Sequence, residues 1–141
     1  FTTTRGNNVH AYLDRNNDDA PDTAVIADGT SALDFNFPAS FATQPTSTAN
    51  QQAAMVNLFV ANNFIHDVTY GYGFNEASGN FQVNNYGRGG SGNDAVRAEA
   101  QDGGGTNNAN MATPSDGSAP RMQMYLWNNT SPSRDGDFDN Q

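Results

Sequence analysis

The chain has 141 residues, enough for one modest domain, and a formal net charge of −9. Fifteen acidic residues, thirteen of them Asp, are balanced by only six Arg and no Lys. This composition argues against binding to DNA, RNA or an anionic membrane, because each of those partners is held by clusters of cations. The absence of cysteine excludes disulfide frameworks and thiolate metal sites.

The first 47 residues form a loop-rich segment with two short strand patterns. Residues 8–13 contain Val, Tyr and Leu, and residues 32–37 alternate apolar and polar side chains before Pro38. The acidic stretch between them, residues 14–22, has almost no apolar residues and cannot add to a core. We therefore predict two short strands connected by long loops.

Residues 49–68 contain the clearest helix pattern. No Gly or Pro interrupts this stretch, Ser47, Thr48 or Asn50 can cap its start, and Gly71 follows its end. Its apolar side chains fall on two faces, which is typical of a helix buried between layers. The sequence thus predicts one long buried helix.

Further strand patterns follow the helix. Residues 81–86, 95–101 and 121–127 alternate apolar and polar side chains. The glycine-rich segment 87–92 lacks the spacing and the Lys of a phosphate-binding loop, so it is interpreted as a flexible connection. A strand, a helix and then several strands predict an α+β fold with a mostly antiparallel sheet.

The side chains that could perform catalysis are few. A zinc site of the usual kind, two His and a carboxylate, would need both His10 and His66, because these are the only histidines. No second His lies one helical turn from His66, so a packed, hydrogen-bonded histidine is the preferred interpretation. No Ser lies in a nucleophile-elbow motif. Taken alone, the residues of this chain show no catalytic machinery.

Two acidic stretches place oxygen-bearing side chains at alternate positions, as calcium loops do. The candidate calcium ligands are Asp14, Asn16, Asp18 and Asp22 in the first stretch and Asp135, Asp137 and Asp139 in the second. An EF-hand is excluded, because Asp19 replaces the glycine that such a loop requires and no bidentate Glu follows. A looser calcium loop and a plain solvated acidic surface both remain open.

Several collinear motifs together indicate a family. They are residues 62–67 (NNFIHD), 72–82 (YGFNEASGNFQ), 92–103 (GNDAVRAEAQDG), 106–110 (TNNAN) and 121–127 (RMQMYLW). With these motifs the chain resembles the fungalysin family of secreted zinc metalloproteases over nearly its whole length. The resemblance implies a secreted protein.

The resemblance also implies an architecture like that of thermolysin, in which a mostly β N-terminal subdomain faces a helical subdomain across the active-site cleft. We expect a single partial domain, with a loop-rich segment 1–47 and a helix-plus-strand segment 48–141 that resembles the substrate-cleft subdomain. In the family, a segment like 135–140 leads into the His-Glu-x-x-His helix. The zinc ligands of the complete family domain are therefore expected outside this chain.

The resemblance assigns a substrate-binding edge strand to Asn107, Asn108, Ala109, Asn110 and Met111. An exposed strand edge offers N–H and C=O groups to which a peptide can add as a further strand. Met111 stands where the family pattern has Phe, so the neighbouring pocket can differ in shape. The partners implied are a peptide substrate and the remainder of the catalytic domain.

The function that follows is that of the substrate-binding half of a secreted zinc metalloendopeptidase. The alternative is a non-catalytic module derived from that family, either a structural subunit or a calcium-binding unit. Uncovered strand edges are templates for self-association, which supports the structural version of this alternative.

Overall fold

In a computed structural model, which describes residues 1–136, the chain forms one long helix packed on a four-stranded sheet. The elements are β1 (Val9–Leu13), α1 (Thr48–Gly71), a 3-10 turn (Glu76–Ser78), β2 (Val96–Thr106), β3 (Ala109–Ala112) and β4 (Arg121–Leu126). The predicted α+β class is confirmed. None of the described helices is long and apolar enough to cross a membrane.

The sheet is mixed, with the strand order β1-β2-β4-β3. β1 pairs parallel with β2, and β2 pairs parallel with β4; only β3 and β4 are antiparallel. The prediction of a mostly antiparallel sheet is therefore wrong for two of the three pairings. Parallel neighbours need a long crossover between them, and the connection containing α1 supplies one between β1 and β2.

Two predicted strands are absent from the described residues. In the segment 32–37, Leu33 has a left-handed φ of 54°, and the Asp34 carboxylate accepts the N–H of Asn36 in a local turn. In the segment 81–86, the N–H of Gln82 donates to the carboxylate of Asp94 rather than to a strand. Local turn hydrogen bonds therefore replace a strand ladder in the first segment. In the second, a side-chain bond interrupts the backbone bonds, which include Val83 N–H to the C=O of Asn7.

The helix α1 begins where the sequence predicts. The Ser47 side chain accepts the N–H of Asn50 at 3.4 Å, which caps the first turn. Asn50 is itself buried, and its amide bonds both the N–H and the C=O of Ser40, at 2.7 Å and 3.1 Å. The start of the helix is thus fixed to the loop that precedes it.

The core lies between one face of α1 and one face of the sheet. Met55, Leu58 and Ala61 of the helix are at most 6% exposed, and they face strand residues such as Ala98 and Met124, which are fully buried. The other face of α1 is exposed in the described part of the chain, so the helix is buried on one side and not on both as predicted.

Candidate peptide-binding edge and buried acidic cluster

The strand β3 forms one edge of the sheet. It pairs only with β4, and three of its four residues are exposed. The N–H of Tyr125 donates to the C=O of Asn108, just before β3. Because backbone groups alternate in direction along an antiparallel strand, the N–H and C=O groups of Ala109 and Met111 point away from β4. This edge is open to an additional strand.

The side chains of the predicted edge segment have different surroundings. The amide of Asn107 bonds both the side chain and the backbone N–H of Asn128, at 2.7 Å and 2.9 Å, and so holds the turn before β3. Asn110 donates to Gln123 and to the Tyr125 hydroxyl, at 2.9 Å and 2.7 Å. The side chain of Asn108 has no hydrogen-bond partner among the described residues.

The face of the sheet opposite the helix is polar and nevertheless buried. The parallel register aligns Tyr12 with Glu99 and Glu99 with Gln123, and these side chains are at most 6% exposed. The Tyr12 hydroxyl donates to Glu99 Oε1 at 2.8 Å. Glu99 lies at the centre of three neighbouring strands, with no water-exposed surface of its own.

A bulge in β2 brings a second carboxylate to this face. Gln101 has a left-handed φ of 50°, and the register between β2 and β4 shifts between Ala100 and Asp102. Gln101 therefore contacts the helix residue Gln51, whereas Asp102 accepts a hydrogen bond from Gln123 at 2.8 Å. Bulges re-aim side chains in this way.

Asp14, the first residue after β1, completes a cluster with Glu99 and Asp102, which we call the acidic cluster. One carboxylate oxygen from each of the three residues lies within 4.8 Å of the others, and none of the side chains is more than 2% exposed. Asp14 also accepts the N–H groups of Asp18 and Asp19, at 3.0 Å and 2.9 Å, so it organises the loop that follows β1.

Burial changes the protonation of the acidic cluster. It raises the pKa of Glu99 to about 7, and the neighbouring Asp102 adds to this rise, while the hydrogen bond from Tyr12 opposes it. Burial also raises the pKa of Asp14, against the two N–H groups that it accepts. The pKa of the Tyr12 hydroxyl is raised for the same reason, burial first and Glu99 second.

The structure divides the predicted calcium ligands. Asp14 is buried in the acidic cluster, whereas Asn16, Asp18 and Asp22 are not part of it; Asp18 and Asp22 accept backbone N–H groups within their own loop. Asp135 accepts a hydrogen bond from Gln101 at 2.6 Å, and the candidates Asp137 and Asp139 lie outside the described residues.

Sequence reasoning missed Glu99 and Asp102. The alternation of Val96, Ala98 and Ala100 predicts a half-exposed strand with Glu99 facing solvent. That prediction fails because the loop after β1 lies over the polar face, where Asp14 meets Glu99 and Asp19 pairs with Arg121. The one available signal was that Glu99 is one of only two Glu residues in the chain and is flanked by Ala98 and Ala100.

The described residues do not fit a zinc centre. Zinc sites in proteins are built on His or Cys, with or without a carboxylate, and the one cluster of potential metal ligands found in residues 1–136 contains carboxylates only. His66 is instead held by Asp67 and Gln82, at 3.1 Å and 3.3 Å, as the packed histidine that the sequence predicts. No catalytic step can be assigned to zinc bound by these residues.

Comparison with known proteins places these features in a family. The family model for the fungalysin metallopeptidases (M36) matches residues 1–141. Extracellular metalloproteinases of Fusarium vanettenii and Aspergillus flavus are each 46% identical to the chain, and one of Leptosphaeria maculans is 43% identical. Each of these alignments covers 99% of the chain. The chain spans 22% of the length of each of these relatives. This match over the whole sequence shows that the chain belongs to the fungalysin family of metallopeptidases.

Proposed function

We propose that this chain provides the substrate-binding edge of an extracellular metallopeptidase, which hydrolyses peptide bonds in proteins. The single observation that supports the proposal is the edge strand β3, which is paired on one side only. A peptide in extended conformation would add to β3 as a fifth strand, through the backbone groups of Ala109 and Met111. The fungal relatives are named as extracellular metalloproteinases, which supports both the reaction and the location.

The side chains around β3 suit this role. Asn108 is exposed and free to donate to a substrate carbonyl, whereas Asn107 and Asn110 are engaged within the protein and fix the strand. Met111 is 40% exposed and offers an apolar, flexible surface beside the peptide. Zinc and the group that activates water would come from chain beyond these residues, as the relatives' greater length allows.

Ala109→Pro tests the proposal in the full-length polypeptide that contains this chain. Proline removes the outward N–H of residue 109, and an edge strand tolerates this loss because no bond to β4 is broken. Losing one backbone hydrogen bond to the peptide should lower kcat/KM for peptide substrates by roughly tenfold, chiefly through KM. The measurement is steady-state kinetics on a fluorogenic peptide.

Ala109→Ser is the matched control, because it alters the same residue and keeps the N–H; its kinetics should equal those of the wild type. Circular dichroism establishes that both variants are folded. If Ala109→Pro is folded and its kcat/KM is unchanged, peptide does not bind along β3 and the proposal fails.

The same open edge supports a second candidate function, a non-catalytic assembly unit. A second copy of the chain could occupy β3 in place of a peptide. Sedimentation of the natural protein separates the two functions, since an assembly unit would be oligomeric and would lose its contacts in Ala109→Pro. A monomeric protein that cleaves peptides would exclude the assembly function.

A further inference from the structure

The acidic cluster brings three buried carboxyl groups together, and among the described residues it has one ion-pair partner. Asp14, Glu99 and Asp102 are each at most 2% exposed, and their oxygens converge to within 4.8 Å. The nearest cation is Arg121, whose Nε lies 3.8 Å from Glu99 Oε2 and whose other end pairs with Asp19. Among the described residues, the cluster's ion pairing thus depends on one guanidinium, which Glu99 shares with Asp19.

One oxygen of the cluster has no hydrogen bond at all. Glu99 Oε1 accepts from Tyr12, but Glu99 Oε2 is buried and has no hydrogen-bond partner in the described part of the chain. The 3.8 Å separation from Arg121 Nε is too long for a hydrogen bond. An unpartnered, buried carboxylate oxygen costs free energy unless another positive group reaches it.

The other two carboxylates are held in place and retain capacity to bind an ion. Asp14 accepts two backbone N–H groups, and Asp102 accepts the N–H of Gly104 at 2.6 Å and the amide of Gln123. Each carboxylate has about four lone-pair sites, so these bonds leave acceptors free. The strands and the loop after β1 therefore fix the positions of the carboxylate oxygens and leave lone pairs available to bind an ion.

The loop after β1 also brings an amide oxygen toward one carboxylate of the cluster, that of Asp102. A Cβ atom at Gly104 would lie 2.9 Å from Asp102 Oδ1 and 2.5 Å from the amide oxygen of Asn17. These two oxygens thus converge on the space beside Gly104, which a side chain would fill. Glycine at this position allows the loop after β1 to approach β2 closely.

We propose that Asp14, Glu99 and Asp102 bind one calcium ion, with the Asn17 amide oxygen and water as further ligands. The donors are all oxygen, which suits a hard cation and not zinc. Calcium–oxygen distances of about 2.3–2.6 Å allow ligands on opposite sides of the ion to be roughly 5 Å apart, which matches the spread of this cluster. The ion would join the loop after β1 to the sheet that ends in β3.

The test uses the purified full-length polypeptide that contains this chain, stripped with a chelator and then titrated with Ca²⁺. Wild type should bind one more Ca²⁺ per polypeptide than Glu99→Gln or Asp102→Asn, measured by elemental analysis after gel filtration. Saturating Ca²⁺ should raise the wild-type Tm by roughly 3 °C or more, because an ion that binds only the native state stabilises it. The Tm increase on adding Ca²⁺ should be smaller in both variants, because they lack the contribution of this site.

Asp22→Asn is the matched control, since Asp22 belongs to the same loop but not to the cluster; it should keep the wild-type stoichiometry and Tm shift. Should either cluster variant fail to fold, Tb³⁺ luminescence in the wild type and in Tyr12→Phe provides a second test. Tyr12 contacts Glu99 directly, so tyrosine-sensitised emission should fall by about half or more in Tyr12→Phe, since transfer declines steeply with distance.

Three results would overturn the proposal. The first is equal calcium stoichiometry in wild type, Glu99→Gln and Asp102→Asn. The second is loss of the bound ion in Asp22→Asn alone, which would place the ion in the loop. The third is a wild-type Tm that does not change when Ca²⁺ is added but rises on acidification. That result would mean that a proton, and not calcium, neutralises the cluster.

Discussion

His10 shows at the scale of one residue how burial on the polar face affects titration. It lies on β1 two residues before Tyr12, and the two rings are 4.9 Å apart. Burial first, and the Arg5 guanidinium second, hold the pKa of His10 below its usual 6.5. Protonation is therefore harder in the folded state than in the unfolded chain, and neutral His10 contributes stability above pH 6.5 that is lost as the pH falls toward its folded pKa.

We expect His10→Gln to reduce the pH dependence of stability. The free energy of unfolding of the wild type should fall more steeply between about pH 7 and pH 5 than that of the variant, because Gln does not titrate. Urea denaturation at a series of pH values measures both slopes. Arg5→Gln should give an intermediate slope, since it removes the lesser cause and leaves burial. Parallel curves for wild type and His10→Gln would contradict the assignment.

The acidic cluster shows where sequence reasoning about single residues succeeds and where it stops. Asp14 was predicted as a metal ligand from the spacing of oxygens in its loop, and the structure buries it in a carboxylate cluster. Glu99 and Asp102 were not predicted, because they reach Asp14 only through the pairing of β1 with β2 and the bulge at Gln101. Local spacing shows which oxygens are close in sequence, and tertiary pairing decides which oxygens meet.

At the scale of elements, α1 was predicted well because its signals are local. An uninterrupted apolar pattern and a Ser cap specify a helix without reference to the rest of the fold. Strand direction was not predictable in the same way. The strands β1 and β2 are neighbours although a helix separates them in sequence, and no residue in either strand encodes that parallel pairing.

The buried face of α1 predicts a large difference in stability between substitutions at two aliphatic residues, Leu58 and Val60. Leu58 is 1% exposed and packs in the core, whereas Val60 is 58% exposed two residues later. Leu58→Ala should lower the free energy of unfolding by about 2–5 kcal/mol, because it removes buried methylene groups and leaves a cavity. Chemical denaturation of the isolated chain measures the loss.

Val60→Ala is the control for this prediction, and it should change stability by no more than about 0.5 kcal/mol, as an exposed substitution does. Equal losses in the two variants would mean that α1 is buried on both faces, as the sequence pattern alone suggests. The comparison therefore tests which face of the helix meets the sheet.

At the scale of the whole molecule, the exposed face of α1 is an apolar surface without a cover in the described chain. Phe35, Phe37, Val56, Val60 and Phe64 line a groove of about 450 Å³ on this face. Phe64 is 65% exposed, and large apolar patches on soluble proteins usually mark contact surfaces. Because the chain spans 22% of the length of its relatives, we expect the groove to be covered in the longer proteins by chain outside this segment.

The isolated 141-residue chain should therefore bind an apolar dye and associate through this groove at high concentration. The double variant Val60→Ser and Phe64→Ser should reduce dye fluorescence and shift sedimentation toward the monomer, with little loss of stability, because both side chains are exposed when folded. Ala109→Pro serves as the comparison, since it blocks association through β3 and leaves the groove intact. If Ala109→Pro alone restores the monomer, the chain self-associates through the edge strand β3 and not through the helix face. If the wild-type chain is monomeric and binds no dye, the groove on α1 is not a contact surface, and the expectation that further chain covers it is wrong.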